Sequence, residues 1–213
     1  MKKHFLKLAV PLLVAFSPVI TFADQSFIVD YFKNFQTLEA NFSQEISTKD
    51  REDTTSGYLI IEKSASDQKV ENPRFVFDYT KPYQQTLVSN GQQFWFYDVD
   101  LMQVVIKPLK DVVNNPVLKI LLTDEPLSDN FNITEVRSKR DYLLTPKKIS
   151  TDMDVTDIQV NFANNKIHSF KVKDVTGQTV SFVMKNVVEN KPVKASVFDF
   201  KIPEDVDVID ETK

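Results

Sequence analysis

The sequence predicts a mainly β protein, with one antiparallel β domain and two helices. Runs of aromatic and β-branched residues alternate with polar ones from about residue 57 to residue 200, which is typical of half-buried strands. Prolines fall between these runs, where a missing N–H does not interrupt a β-ladder. The pair Asn90-Gly91 is a strong hairpin signal, because both residues tolerate the positive φ of a type I′ turn.

The N-terminal segment has the pattern of a secretory signal peptide. Three lysines precede the apolar stretch from Leu8 to Phe16, and the small residue Ala23 supplies a cleavage site. The apolar stretch is too short to cross ~30 Å of hydrocarbon. We therefore predict a signal peptide at 1–23 and a single mature domain at 24–213, located in a bacterial periplasm or outside the cell.

Composition excludes several classes of function. The chain contains no cysteine, so it has no disulfide, thiolate nucleophile or Cys-ligated metal site. Loss of the three leader lysines changes the formal net charge from −4 to −7, and no basic block is present, so nucleic acid is not a predicted partner. With these residues we predict no metal site and no cofactor.

Candidate catalytic residues are few. Asp98 and Asp100 have the spacing of a carboxylate pair, but no histidine accompanies them. A role as solvent-facing polar residues of a hairpin turn explains them better. His168, the one histidine of the predicted mature domain, lies inside an apolar strand pattern and is predicted to be structural. The sequence therefore does not predict an enzyme.

Two segments have helical patterns. Apolar positions recur at steps of three and four from Ile28 to Phe42, which predicts an amphipathic helix from Ser26 to about Phe42. The second pattern has Asn115 as N-cap and Pro116 at the first helical position, and continues to Leu122.

Strands are predicted in the remaining periodic runs. Their ranges are 57–63, 74–79, 84–89, 92–98, 101–107, 142–145, 158–162, 167–172, 179–188 and 197–200. Two further stretches, one after Phe42 and one near Ile133, bring the total to eleven or twelve.

Several strands carry large apolar side chains on both faces. Phe94 and Phe96 point one way, while Trp95 and Tyr97 point the other. Two helices cover only part of such a sheet. One explanation is a closed barrel or sandwich filled by aromatic residues, and the other is an incomplete barrel with an apolar cavity beneath the helices. Both use the same residue types.

Several motifs occur in the order found in a known family. They are Leu38-Glu39-Ala40-Asn41-Phe42-Ser43-Gln44, Gly57-Tyr58-Leu59, Pro73-Arg74-Phe75-Val76-Phe77-Asp78-Tyr79, the hairpin from Ser89 to Asp98 followed by Gln103-Val104, Asn115-Pro116-Val117-Leu118, Leu144-Thr145-Pro146-Lys147, and Phe198-Asp199-Phe200 with Pro203. Together they span the predicted mature chain. Their order and separation resemble the LolA family of periplasmic lipoprotein carriers.

The resemblance implies an unclosed antiparallel β-barrel of about 11 strands with an α-helical lid over an apolar cavity. It implies a periplasmic chaperone that binds the acyl chains of lipoproteins released from the inner membrane and delivers them to the outer membrane. The implied partners are acylated lipoproteins, a LolCDE-type inner-membrane ABC transporter and a LolB-like acceptor, and we expect a monomer. A periplasmic lipid or lipoprotein sensor with the same barrel is the alternative.

Two sets of site residues are our hypothesis for a carrier with this architecture. The cavity is expected to be lined by Leu59, Ile61, Phe75, Phe77, Tyr79, Trp95 and Tyr97. The underside of the lid is expected to consist of Ile28, Phe32, Phe35, Val117, Leu118, Leu121 and Leu122.

The residue that holds the lid shut is less clear from the pattern. Family members carry an arginine directly before the proline of the third motif, but here Asn72 precedes Pro73. Lys63 and Arg74 are the candidates to replace it. Arg74 is preferred because a guanidinium bonds several carbonyls at fixed geometry, although it could equally be a solvated charge.

Overall fold

One twelve-stranded sheet forms the body of the described chain. The computed structural model describes residues 25–63, 73–112, 116–137, 140–148 and 155–212, so the predicted signal peptide and the segment 64–72 lie outside it. The strands are β1 Thr37–Ser47, β2 Glu52–Glu62, β3 Arg74–Lys81, β4 Gln85–Asn90, β5 Gln93–Asp98, β6 Gln103–Pro108, β7 Phe131–Arg137, β8 Asp141–Pro146, β9 Val155–Ala163, β10 Lys166–Asp174, β11 Thr179–Glu189 and β12 Asp207–Asp210.

The sheet is an unclosed barrel, which confirms the predicted fold class. Its strand order is β12-β6-β5-β4-β3-β2-β1-β11-β10-β9-β8-β7, so β12 and β7 are edges that do not pair with each other. Neighbouring strands are antiparallel except β6 and β12, which are parallel. A parallel pair needs a crossover connection, and here the chain crosses the outside of the sheet before it reaches β12.

The tight turns follow the sequence signals closely. Asn164 and Asn165 between β9 and β10 have φ values of 51° and 64°, as a type I′ turn requires. The hairpin at Asn90-Gly91 is confirmed, but of these two residues only Gly91 has a positive φ, 88°. The Asn90 Oδ1 instead accepts hydrogen bonds from the backbone N–H groups of Gln92 and Gln93.

Four α-helices and one short 3-10 helix accompany the sheet in the described residues. They are α1 Ser26–Asn34, α2 Leu109–Val112, α3 Pro116–Leu122, α4 Leu127–Asn130 and the 3-10 helix Ala195–Phe198. The helix predicted to begin at Pro116 is confirmed, while its predicted N-cap, Asn115, lies outside the described residues.

The first helix is shorter than predicted, because a step of four residues fits both a helix and a strand. Helix α1 ends at Asn34, and Phe35 is already extended, with ψ at 123°. From there Leu38, Ala40 and Phe42 alternate inward along β1 and are all at least 96% buried. Pairing with β2 and β11 on both sides makes this segment a strand.

The prediction at the C-terminus is wrong in two respects. Residues 197–200 do not form a strand, and the chain makes a 3-10 helix at Ala195–Phe198 instead. The true last strand, β12, has all four residues exposed, so no apolar alternation marks it in the sequence.

Apolar side chains pack on both faces of the sheet. The larger cluster lies on the inner face and includes residues of β1 to β5, β7 to β11 and helices α1 to α4. A smaller cluster on the outer face is built on Val88, Trp95 and Val104, and Phe200 and Val206 of the C-terminal segment pack against it. The apolar side chains on the two faces of β3 to β6 are therefore buried by different segments. Helices pack on the inner face, and the C-terminal segment packs on the outer face.

Gly57 is required where β2 and β3 meet. A Cβ atom at this position would lie 2.0 Å from the Asp78 carbonyl oxygen and 3.0 Å from the Phe42 ring. We expect Gly57→Ala to lower the free energy of unfolding by about 3 kcal/mol, because backbone must move to admit the methyl group. Urea denaturation measures the change.

The control is Gly177→Ala, in the β10–β11 turn. Gly177 has a φ of +87°, but no atom lies within 4 Å of its added Cβ. Only the conformational cost applies there, and we expect about 1 kcal/mol. A loss at Gly57 no greater than the loss at Gly177 would contradict the close approach of the two strands.

Candidate functional site

An apolar cavity of about 260 Å³ lies between the inner face of the sheet and helices α2 and α3. It is lined by Gln44, Leu59, Phe75, Phe77, Tyr79, Leu87, Val112, Leu118, Leu121, Phe170, Val172, Val180, Phe182 and Met184. The lining therefore includes four residues that the sequence assigned to it, Leu59, Phe75, Phe77 and Tyr79.

The cavity opens at one end of the barrel, which we call the turn end. The β1–β2, β3–β4, β5–β6 and β10–β11 connections all meet there. Along β3, Phe75 is fully buried, Phe77 is 6% exposed and Tyr79 is half-buried. Along β11, exposure rises in the same direction, from the buried Met184 to the half-buried Val180. The mouth of the cavity is therefore at the turn end.

Helices α2 and α3 roof the cavity. Val112, Leu118 and Leu121 project onto it. Leu122 is fully buried in the inner cluster but does not line the cavity. The side chain of Val117, which was also expected on the underside of the lid, lies outside the described part of the chain. A helix of seven residues thus covers the cavity with two leucines.

Helix α1 packs beside the cavity and does not line it. Ile28, Phe32 and Phe35 are buried in the inner cluster, and the Phe32 ring lies 6.5 Å from that of Phe170. The Tyr31 hydroxyl donates a hydrogen bond to Glu189 at the end of β11. Burial, reinforced by Glu189, raises the pKa of Tyr31, so this hydroxyl stays protonated. Helix α1 is thereby attached to the barrel.

Three of the residues expected in the cavity lie elsewhere. Trp95 and Tyr97 were assigned to the inner face, and that assignment is wrong, because both belong to the outer cluster and their rings lie about 6 Å from the ring of Phe200. Alternation along β5 instead places Phe94 and Phe96 inside. Ile61 is on the inner face but is fully buried in the core and does not line the cavity.

Lys63, one of the two latch candidates, contacts both α1 and the segment after α3. Its Nζ donates to the Phe32 carbonyl oxygen at 2.7 Å and lies 3.2 Å from Asp124 Oδ1, two residues after α3. The side chain is 2% exposed. Burial lowers the pKa of Lys63, and Asp124 opposes that shift. One ammonium group therefore joins the last turn of α1 to the end of α3.

Arg74, the preferred candidate for this role, has its contacts elsewhere in the described part of the chain. Its guanidinium forms an ion pair with Glu62 and lies 5.0 Å from the centre of the Phe198 ring on the outer face. Arg74 is the first residue of β3, and strand alternation points it away from Phe75 and the cavity. The Arg74 guanidinium therefore bonds on the outer face of β3, opposite to the helices that cover the cavity.

Among the described lining residues, Gln44 and Tyr79 carry polar side-chain atoms, and both lie near the mouth. The Tyr79 hydroxyl donates to Gln44 Oε1 at 2.9 Å. Burial raises the pKa of Tyr79 to about 12, so the phenol keeps its proton. Gln44 stands in one of the motifs quoted above, but nothing in its spacing marked it as a cavity residue.

The candidate catalytic residues have other roles. Asp98 accepts hydrogen bonds from Gln85 Nε2 at 2.8 Å and from the Leu101 N–H at 3.0 Å, which stabilises the β5–β6 turn. Asp100 and His168 are exposed. Among the described residues, no helix has the length and apolar character needed to cross a membrane.

Comparison with known sequences agrees with this architecture. The model of the family described as outer membrane lipoprotein carrier protein LolA matches residues 33–201. An outer-membrane lipoprotein carrier protein of Hahella chejuensis (strain KCTC 2396) is 31% identical over 210 residues, which cover 96% of each chain. Another, from Francisella tularensis subsp. novicida (strain U112), is 32% identical over 213 residues, covering 97% of this chain and 98% of its own.

Comparison with solved structures bears on the fold alone. The crystal structure of an uncharacterized conserved protein from Thermus thermophilus superposes with a TM-score of 0.52 at 12% identity, and covers 87% of this chain and 98% of its own. The family match and the relatives that align over nearly the whole chain establish the family relationship without support from the solved structure. The chain belongs to the LolA family, the outer membrane lipoprotein carrier proteins.

Proposed function

We propose that the protein is a periplasmic carrier that holds the acyl chains of lipoproteins in the inner-face cavity while they travel to the outer membrane. The observation that carries the proposal is an apolar cavity, open at one end and roofed by a short helix, in a chain whose relatives are named lipoprotein carriers. Transfer of this kind requires no covalent step.

The size of the cavity indicates how loading occurs. Each exposed CH₂ of an acyl chain costs about 0.8 kcal/mol in water. The free energy of exposing whole acyl chains therefore prevents a lipoprotein from diffusing through water unaided. The volume of about 260 Å³ is slightly below the ~300–1,000 Å³ of common ligand pockets. Several acyl chains therefore enter only when α2 and α3 move away from the sheet. Separating the lid from the sheet costs free energy, which lowers the net affinity for cargo and permits release.

Lys63 fits the role of the latch that keeps the empty carrier closed. Its two contacts join α1, which is attached to the barrel through Tyr31, to the segment that follows α3. When α3 moves away, the Lys63 ammonium separates from the Asp124 carboxylate, and their electrostatic attraction is lost. The latch thereby contributes to the opening free energy that cargo must overcome.

The partners follow from the family. We infer that a LolCDE-type ABC transporter in the inner membrane supplies the energy for extraction, and that a LolB-like acceptor of higher affinity receives the cargo. The predicted signal peptide supports a periplasmic location for the exchange. Depletion in cells tests the role directly, because loss of a carrier strands lipoproteins in the inner membrane, whereas loss of a sensor leaves their sorting intact.

The first prediction from the proposed function concerns the roof of the cavity. Leu118→Asp places a carboxylate against the acyl chains and removes an apolar contact that is worth about 1.5–3 kcal/mol when buried. We expect at least a tenfold lower yield of acylated polypeptide bound after incubation with inner-membrane vesicles, as measured by mass spectrometry.

The matched control is Val197→Asp, on the outer face, where the side chain is 39% exposed. It introduces the same charge and is expected to bind cargo like the parent chain. Equal loading by Leu118→Asp and the parent would refute the proposal that acyl chains lie beneath α3.

The second prediction concerns the latch. Lys63→Met keeps the length of the side chain but removes the contacts to Phe32 and Asp124, so opening becomes easier. We expect acyl affinity to rise about tenfold, equivalent to ~1.4 kcal/mol, with correspondingly slower release. Faster amide hydrogen exchange in α3 of the empty protein would accompany the change.

Two controls accompany this variant. Lys119→Met removes an equal charge from α3 itself, where the pair with Glu125 is exposed, and is expected to leave affinity unchanged. Arg74→Met breaks the Glu62 pair without touching the lid helices. If Arg74→Met rather than Lys63→Met tightened binding, the assignment of the latch to Lys63 would be wrong.

A further inference from the structure

The polar groups at the mouth of the cavity have unused hydrogen-bonding capacity. Tyr79 donates to Gln44 Oε1, which orients the Gln44 amide so that its nitrogen faces away from the phenol. That nitrogen, Nε2, donates to no residue in the described ranges. An amide NH₂ carries two donors. The other side chains that line the cavity in the described ranges are hydrocarbon, apart from the Tyr79 phenol and the Met184 thioether.

A second unpartnered group lies beside Gln44. Thr55 on β2 is its direct cross-strand partner, so the two side chains share the inner face of the sheet. The Thr55 Oγ1 is buried and has no hydrogen-bond partner within the described part of the chain. Buried hydroxyl groups in native proteins are generally satisfied by protein, water or ligand. Thr55 itself does not line the cavity, so Gln44 presents the donor at the mouth and Thr55 is its buried cross-strand neighbour.

The position of these donors matches one part of an acylated molecule. An alkyl chain that enters at the turn end runs past Phe77 and Phe75 toward the closed end, and its carbonyl group remains at the mouth. Ester and amide carbonyls accept hydrogen bonds and carry no charge. A free carboxylate would need a nearby cation to offset the cost of burying its charge. The lining residues that the structure describes include neither lysine nor arginine.

We propose that Gln44 Nε2, assisted by the Thr55 hydroxyl, binds the ester or amide carbonyl of an acyl chain and so sets its orientation, tail inward. Tyr79 is a positioning residue that holds the Gln44 amide in the correct rotamer. This inference rests on the proposed function, since it specifies which atoms of the cargo the cavity recognises. The polypeptide attached to the acyl group is consequently left outside the mouth.

The test compares two ligands that differ only at the carbonyl. Palmitoyl glycerol is an ester, and hexadecyl glycerol is the ether in which a CH₂ replaces the C=O. We expect the full mature chain to bind the ester about tenfold more tightly, which corresponds to ~1.4 kcal/mol. Calorimetry below the micelle concentration of each lipid measures both dissociation constants.

The variants locate the preference. Gln44→Met removes the donors and is expected to bring the ester-to-ether ratio close to one, and Tyr79→Phe is expected to reduce it partially. Gln92→Met, at the exposed β4–β5 turn, makes the same exchange away from the cavity and should keep the full ratio. Equal ratios in Gln44→Met and the parent would overturn the proposal.

The variant Thr55→Val distinguishes a role in carbonyl binding from a role in the stability of the folded protein. It deletes an unpaired buried hydroxyl, so the empty protein is expected to melt at a higher temperature, while the ester preference falls. A structural role alone would leave the ratio unchanged, which would remove Thr55 from the site. If the parent binds both lipids equally, carbonyl recognition fails but the carrier function stands. If it binds neither lipid and no acylated polypeptide, the proposed function itself fails.

Discussion

The fold depends on covering both faces of one curved sheet with apolar side chains from elsewhere in the chain. Exposed apolar area costs about 25 cal/mol per Å², and β3 to β6 carry such area on both sides. Outside, Phe200 packs on Trp95 and Tyr97 and covers the face closely. Inside, the short helices α2 and α3 cover the face without filling the curve beneath them. The cavity results from this difference between the two covers.

Closure of the inner cover involves opposing contributions to the free energy. Lys63 is removed from water, which is unfavourable, and is compensated by Asp124 and by the Phe32 carbonyl oxygen. Asp124 is partly exposed, whereas Lys63 is buried, so loss of Asp124 would leave the Lys63 ammonium with less compensation for its burial. Helix α1 is attached through Tyr31 to Glu189, so the contacts of Lys63 connect an element attached to the barrel with the end of α3. In the proposed function this connection keeps the empty carrier closed.

The two ends of the cavity differ in a way that suits reversible binding. The closed end is formed by fully buried side chains such as Phe75 and Leu59, and the mouth by half-buried ones, with Gln44 and Tyr79 among them. A pocket that is apolar in depth and polar at its entrance favours molecules with a long tail and one polar junction. The proposed cargo has this chemistry, and its charged or bulky portion needs no space inside.

Local pattern in the sequence determined most of the strands, the turn at Asn164-Asn165 and the helix that begins at Pro116, because these depend on period, turn propensity and proline geometry. It did not determine where α1 ends, since the spacing of Leu38 and Phe42 fits helix and strand alike, and only pairing with β2 and β11 decided for a strand. Alternation shows that Phe94 and Trp95 face opposite ways, but not which way is inward. The inward face, the contacts of Lys63 with α1 and Asp124, and the placement of Gln44 in the cavity were decided by tertiary structure, because each depends on segments far apart in the chain coming together.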